Sequence, residues 1–192
     1  MKVYFSISAL AVLGFCLFSS TPLQAQRAKK WTQAEILANV KVGQWIEIDG
    51  AIQPDQSVTA VEIEFRAGDF LDDDWRLLAT VKSVTPEQGE FKVFSLPVRV
   101  TKETEFDEGI ASLDDIKPEM LVKLEGSYLK EGVFLAKEVD NRAKKLQAEP
   151  QFDKMLEVVG KIAQIDEAKR VITVMGIDFH ITEETEGKSL IK

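Results

Sequence analysis

The feature that most constrains this chain is that it repeats itself twice, in complementary halves. Residues 157–186 lie without a gap on residues 76–105, at a constant offset of 81. The offset pairs Val81 with Ile162, Phe91 with Ile172, Val93 with Val174, Leu96 with Ile177, Val98 with Phe179 and Thr104 with Thr185. Residues 37–64 lie on residues 113–140 in the same way, at a constant offset of 76. Here Leu37 meets Leu113, Ile46 meets Val122, Ile48 meets Leu124, Gly50 meets Gly126, Ala60 meets Ala136 and Ile63 meets Val139. Self-similarity at a fixed offset is the signature of repeated structural units, and the matches exchange apolar residues at strand spacing.

The two offsets divide the chain. Residues 77–142 hold a first half and a second half and form a complete unit. Residues 32–66 are a lone second half, and residues 157–190 a lone first half. A half unit would leave sheet edges and an apolar face open to water, which invites pairing. The expectation is therefore that 32–66 and 157–190 complete each other, with 77–142 inserted between them and 67–76 and 143–156 as connectors. A monomer is favoured, because the two ends of one chain meet at higher effective concentration than two chains do. The rival outcome is a domain-swapped dimer.

Within the complete unit, Leu77–Val84, Phe91–Leu96, Pro97–Thr101, Leu121–Tyr128 and Val133–Asp140 alternate apolar and polar residues as strands do. Pro86 to Gly89 and Lys130 to Gly132 read as hairpin turns. Ser112 with Asp115, and Thr32 with Glu35, have the spacing of capping boxes that start short helical turns. Three strands, a helical turn and two strands is the order of an OB-like barrel. The predicted fold is all-β: two small OB-like five-stranded barrels, one of them discontinuous and circularly permuted, each with a short helical turn. The connectors carry Phe70, Leu71, Trp75, Phe152 and Met155, too apolar for flexible linkers, and are expected in the seam between barrels.

Residues 1–25 read as a secretory signal peptide, with Lys2 ahead of a short apolar core and cleavage expected near Ala25. The apolar stretch is shorter than the ~20 residues of a spanning helix, so no stable membrane insertion is expected after cleavage. Phe15 stands where a lipid-anchor signal would need a small residue before Cys16. The expected location is periplasmic or secreted. Cleavage removes Cys16, leaving no disulfide and no thiolate metal site. The net charge of −8, with no basic stretch longer than Lys29-Lys30, argues against nucleic acid as a partner.

The run Val98-Arg-Val-Thr101 to Thr104, the spacing of Leu, Ile, Met and Gly from Leu113 to Gly126, and Gly132 to Val139 resemble the exported bacterial domain-of-unknown-function family numbered 5666. The resemblance covers the central unit fully and both terminal halves in part. It implies small β-barrel repeats outside the cytoplasm and brings no activity or catalytic residues.

Candidate chemistry is sparse. His180, the single histidine, is expected to point outward where Arg99 stands in the other unit, and alone it cannot build a zinc site. Asp69, Asp72, Asp73 and Asp74 supply oxygen ligands of the kind a weak Ca2+ site uses, without the spaced loop of an EF-hand. Trp31, Trp45 and Trp75 are aromatic candidates. Trp45 alternates with Ile46 and Ile48 and is expected on the outer face, either covered by the second barrel or a connector, or open as a binding surface. Trp45, Trp75 and His180 are thus the candidate ligand or partner surface. Glu62, Glu64, Glu138 and Asp140 recur at equivalent places and read as charged edge residues that discourage aggregation. No phosphate loop, nucleophile elbow or Ser/His/Asp set is present. The function expected is an exported, non-catalytic module that binds a protein or envelope component and needs no cofactor. A weak divalent-cation module using 69–74 is the second expectation and a carboxylate-dependent hydrolase the third.

Overall fold

The computed structural model describes residues 30–189. The expected signal peptide, with Lys2 and Cys16, lies outside the described residues. The protein is all-β, with thirteen strands joined in one sheet. The chain runs β1 (Lys30–Trp31), α1 (Gln33–Asn39), β2 (Trp45–Ile52), β3 (Val58–Phe65), β4 (Trp75–Thr85), β5 (Glu90–Val93), β6 (Leu96–Arg99) and β7 (Glu105–Asp107). It continues through β8 (Leu121–Tyr128), β9 (Phe134–Asn141), α2 (Ala143–Ala148), β10 (Met155–Asp166), β11 (Val171–Val174), β12 (Ile177–His180) and β13 (Glu186–Ser189). Among the described residues, no helix is long and apolar enough to cross a membrane.

Two circuits of strand pairing organise the sheet. In the centre, β4 pairs with β5, β5 with β6, β6 with β9, β9 with β8, and β8 again with β4. The second circuit draws on both ends of the chain: β10 pairs with β11, β11 with β12, β12 with β3, β3 with β2, and β2 again with β10. β7 and β13 hold the same place in the two circuits, running parallel to β9 and β3. The front strands and the tail strands therefore lie edge to edge in one sheet.

The circuits share their details because equivalent residues hold them. Thr104 donates its hydroxyl to the Ala136 carbonyl at 2.7 Å and accepts from the Thr101 N–H at 2.9 Å. Thr185 donates to the Ala60 carbonyl and accepts from the Thr182 N–H at the same two distances. Both threonines are buried, so each hydroxyl satisfies a carbonyl that water cannot reach. Both β2–β3 and β8–β9 slip register at a glycine, Gly50 and Gly126. A Cβ at Gly50 would strike the Val58 side chain, and one at Gly126 the Leu135 carbonyl, so only glycine lets the partner approach.

Packing follows one plan with exchanged parts. Phe179 stands opposite Val58 across β12 and β3, and Phe134 stands opposite Val98 across β9 and β6. All four are buried. Each circuit thus fills the same space with one phenylalanine and one valine, on opposite strands. At one end α1 packs Ile36 into the core, held by the expected capping box: Thr32 N–H donates to Glu35 at 2.9 Å. Its counterpart is the single 3-10 turn Leu113–Asp115, with the Ser112–Asp115 box in place.

Two local expectations are corrected. The second and third strands of the central unit were expected to divide between Leu96 and Pro97; the turn between them falls at Phe94-Ser95, with Phe94 in the left-handed region at φ 51°. Met175 repeats this at φ 51°. The first strand of the central unit also begins two residues early, at Trp75 rather than Leu77, and its equivalent begins at Met155.

The circuits join where equivalent strands meet. β4 and β10 pair antiparallel with Arg76 opposite Val159, Leu77 opposite Val158 and Leu78 opposite Glu157. The offset of 81 carries Arg76 onto Glu157, Leu77 onto Val158 and Leu78 onto Val159, so the seam has a pseudo-twofold axis at the Leu77–Val158 pair. Connector residues seal it: Phe70 stacks on Trp45 at 4.9 Å, and Phe152 packs with Leu78 and Leu121. Leu71, also expected in the seam, is 65% exposed.

Candidate functional site: the outer face across the seam

Because β4 and β10 pair, a continuous sheet runs β3–β2–β10–β4–β8–β9 through the seam. Residues directly opposite on paired strands share a face. One row across the outer face reads Glu64, Glu47, Val159, Arg76, Glu125, Glu138. The next reads Glu62, Asp49, Glu157, Leu78, Lys123, Asp140. The pseudo-twofold carries one row onto the other, and the sign of charge is inverted at two pairs: Glu47 corresponds to Lys123, and Arg76 to Glu157.

Ion pairs neutralise most of this face. Arg66 binds Glu47 through a short bond and Glu64 at 3.9 Å, while its equivalent Arg142 reaches Asp140 at 2.5 Å. Lys123 holds Glu125 at 2.5 Å, Lys145 holds Glu157 at 3.1 Å and Lys188 holds Glu62 at 2.6 Å. Among the described residues Asp49 and Glu138 have no cation within ion-pair distance, and the buried Oδ1 of Asp49 lacks a hydrogen-bond partner. Burial, then the carboxylates of Glu157 and Glu62, push its carboxyl up to about 6 against the pull of Lys145 and Lys188. Burial and the neighbouring Asp140 carboxylate likewise raise Glu138. The space that Glu47, Asp49, Glu62 and Glu64 enclose is only about 10 Å³, room for one water and not for a sugar ring.

A larger cavity of about 410 Å³ opens beside it, directly over the seam. Leu77, Leu78 and Val159 line it, with Arg76, Lys123, Arg142, Lys144 and Lys145 against Glu47, Glu108 and Glu157, and the Asn141 side chain at its edge. Five cations face three anions here, although the chain as a whole carries −8. Each lining carboxylate has a cation: Arg66 for Glu47, Lys145 for Glu157, and Lys144 for Glu108 at 3.6 Å. Arg76 has no carboxylate within ion-pair distance among the described residues, since Glu125, opposite it on β8, is taken by Lys123. Arg76 also lies close enough to Arg66 to help lower that guanidinium's pKa, after burial.

The expected site residues fall elsewhere. Trp45 and Trp75, candidates for a partner surface, are each only 8% exposed. Their rings lie 5.0 Å apart, with Phe70 on Trp45 and Tyr128 5.6 Å from Trp75. The structure makes them the aromatic packing of the seam rather than an open surface. A Cβ at Gly160 would meet the Trp75 ring at 2.6 Å, so the ring lies directly on that backbone. Trp31 tilts against Phe65 at 4.6 Å. His180 is exposed on β12, beside a separate groove that also holds Asp55, Lys82 and Phe94.

The aspartates of 69–74 do not meet at one point: Asp69 and Asp74 border a cleft with Arg76 and Glu125, and Asp72 and Asp73 are held elsewhere. Asp72 pairs with Lys161 at 3.0 Å, Asp73 with Lys137 at 3.1 Å, and Asp74 accepts from the Leu71 N–H at 2.6 Å. Asp69 is exposed. Among the described residues, no group of three or more His, Cys, Asp or Glu is placed to hold a metal ion. The connector ties the two circuits, one through Lys161 on β10 and the other through Lys137 on β9. Arg76 and the seam cavity were missed in the sequence; the one available signal was that Arg76 aligns with an acid, Glu157, at the repeat offset.

The arrangement defines an all-β protein with a cavity over the seam that strands of both pairing circuits line. The sequence pattern of the family described as Domain of unknown function (DUF5666) matches residues 26–64 and 79–140. The chain belongs to that family. The tail half, 157–190, lies outside the matched segments although its strands complete the second circuit. No curated protein and no solved structure matches the chain.

Proposed function

We propose that the protein is an exported, non-catalytic binding module that acts as a monomer outside the cytoplasm, with a protein or envelope component as its partner. Each pairing circuit is read as one small OB-like barrel: 77–142 the inserted complete one, and 32–66 with 157–190 the discontinuous, permuted one. The observation that carries the binding role is the seam cavity of about 410 Å³, within the range of ligand pockets and lined from both circuits. The non-catalytic reading rests on the face around it, where most carboxylates are committed to cations and the space beside Asp49, between Glu47, Glu62 and Glu64, has room for one water. The exported reading rests on residues 1–25.

The test is crosslinking in intact cells from a photoreactive residue at Lys144, which is 93% exposed on the cavity rim. The reading expects a discrete crosslinked species in the envelope or secreted fraction, absent when the probe is moved to Lys102, which is exposed and does not line the cavity. A cytoplasmic location, or identical products from both positions, would overturn it.

A further inference from the structure

We propose that the seam cavity is a seat for an anionic group, a carboxylate or phosphate, with Arg76 as the residue that binds it. This deepens the binding-module reading and rests on it. Three observations converge. Of the five lining cations, Lys123, Arg142, Lys144 and Lys145 are each held by a carboxylate, and among the described residues Arg76 is not. Each lining carboxylate is already held by a lysine or arginine, so a cationic ligand would have to displace an internal partner. Arg76 is half-buried and has no carboxylate partner among the described residues, with a second guanidinium, Arg66, close by. A guanidinium removed from water without a counter-ion is unfavourable, and its fork of N–H donors matches two oxygens of a carboxylate or phosphate.

A neutral donor completes the seat. Asn141 accepts the Ala143 N–H on Oδ1 at 2.9 Å, which orients the side chain and leaves its amide hydrogens to donate. The floor of Leu77, Leu78 and Val159 is apolar, so the group that carries the anion lies on a non-polar surface. The pseudo-twofold explains why one such seat exists and not two. Glu157 stands at the place equivalent to Arg76, Glu47 at that of Lys123, and Phe65, covered by Trp31, at that of Asn141.

The experiment is calorimetric titration of the purified protein at low salt with succinate, inorganic phosphate and glucuronate as free anions, and with alginate as a polymer of fixed uronates. The expected result is saturable binding by at least one probe that weakens at least tenfold in Arg76→Ala and steeply with added salt. The arm that binds names the source, free anion or polymer. Arg76→Ala should keep the wild-type melting temperature, because no ion pair is lost, and Lys161→Ala, outside the cavity, should bind normally. Lys144→Glu, on the exposed rim, supplies a second variant and should also weaken binding. The proposal is overturned if no probe binds, or if binding survives Arg76→Ala unchanged. Should crosslinking at Lys144 still capture a discrete partner in that case, the binding-module reading stands and the anionic seat alone falls.

Discussion

The central circuit and the terminal circuit bury the same positions yet charge their shared outer face differently. Inside, substitutions compensate: Phe179 over Val58 in one, Phe134 over Val98 in the other, with total volume kept. Outside, no packing constraint couples the two, and the face differs in sign at two places: Lys123 stands where the other circuit has Glu47, and Arg76 where it has Glu157. The terminal half is left with Glu47, Asp49, Glu62, Glu64 and Glu157 crowded together, while the cations that line the cavity come from the central circuit and from α2, which follows it. Close packing holds a repeat's interior in register, and the solvent face is where two copies acquire separate roles.

That contrast can be broken most severely in the core. Phe179→Val should destabilise the protein by about 2–4 kcal/mol by leaving a cavity. Adding Val58→Phe should recover much of the loss, because the double variant rebuilds the arrangement of the central circuit. Urea denaturation of the four proteins in the cycle measures the coupling, and additive losses would show that the circuits are not interchangeable there.

The buried threonines come next. Thr104→Val and Thr185→Val each leave a buried carbonyl without its donor and should each cost about 1–3 kcal/mol. Equal losses by thermal unfolding would support equivalence. A far smaller loss for Thr185 would mean that the tail strands are held less firmly than the central ones.

Asp49 sharpens the electrostatic difference. Its carboxyl is raised to about 6, above the value near 4 of an unfolded chain, so the folded state holds the proton more tightly. The stability tied to the neutral form is complete below pH ~4 and is lost as pH rises through about 6. Asp49→Asn should therefore stabilise the protein by about 1 kcal/mol at pH 8, after allowance for solvent screening, and by nothing below pH ~4. The equivalent Glu125→Gln breaks the pair with Lys123 and should bring no gain. Paired melting curves at pH 4 and pH 8 decide this.

The smallest effects belong to the connector. Asp72→Ala and Asp73→Ala remove exposed pairs and should change stability by no more than about 0.5 kcal/mol each. Millimolar calcium and EDTA should give the same melting temperature, and a rise with calcium that Asp72→Asn abolishes would restore the cation reading of 69–74.

Much of the strand order was legible, because a constant offset preserves both spacing and alternation: the partners of Ile48, Ala60, Val98 and Thr104 are all named by their repeats. The capping boxes at Thr32 and Ser112 were legible from local chemistry. The turns at Phe94 and Met175 were not, since neither residue signals a positive φ and Pro97 pointed to the wrong break. The seam was hidden for a different reason. Alternation fixes which face a side chain takes but not which edge a strand pairs on, so nothing local told that β4 would pair with β10. Without that pairing Trp45 read as either covered or open, Trp75 stood both among the seam residues and among the surface candidates, and nothing singled out Arg76.

The central claim is that the front and tail strands close one circuit within a single molecule. It is tested most directly by a Glu62→Cys, Glu186→Cys variant, with Cys16 replaced by Ser, since these two positions stand opposite each other on β3 and β13. After mild oxidation of dilute protein, non-reducing electrophoresis should show a crosslinked monomer with compact mobility. A disulfide-linked dimer, or free thiols in the folded protein, would contradict the account.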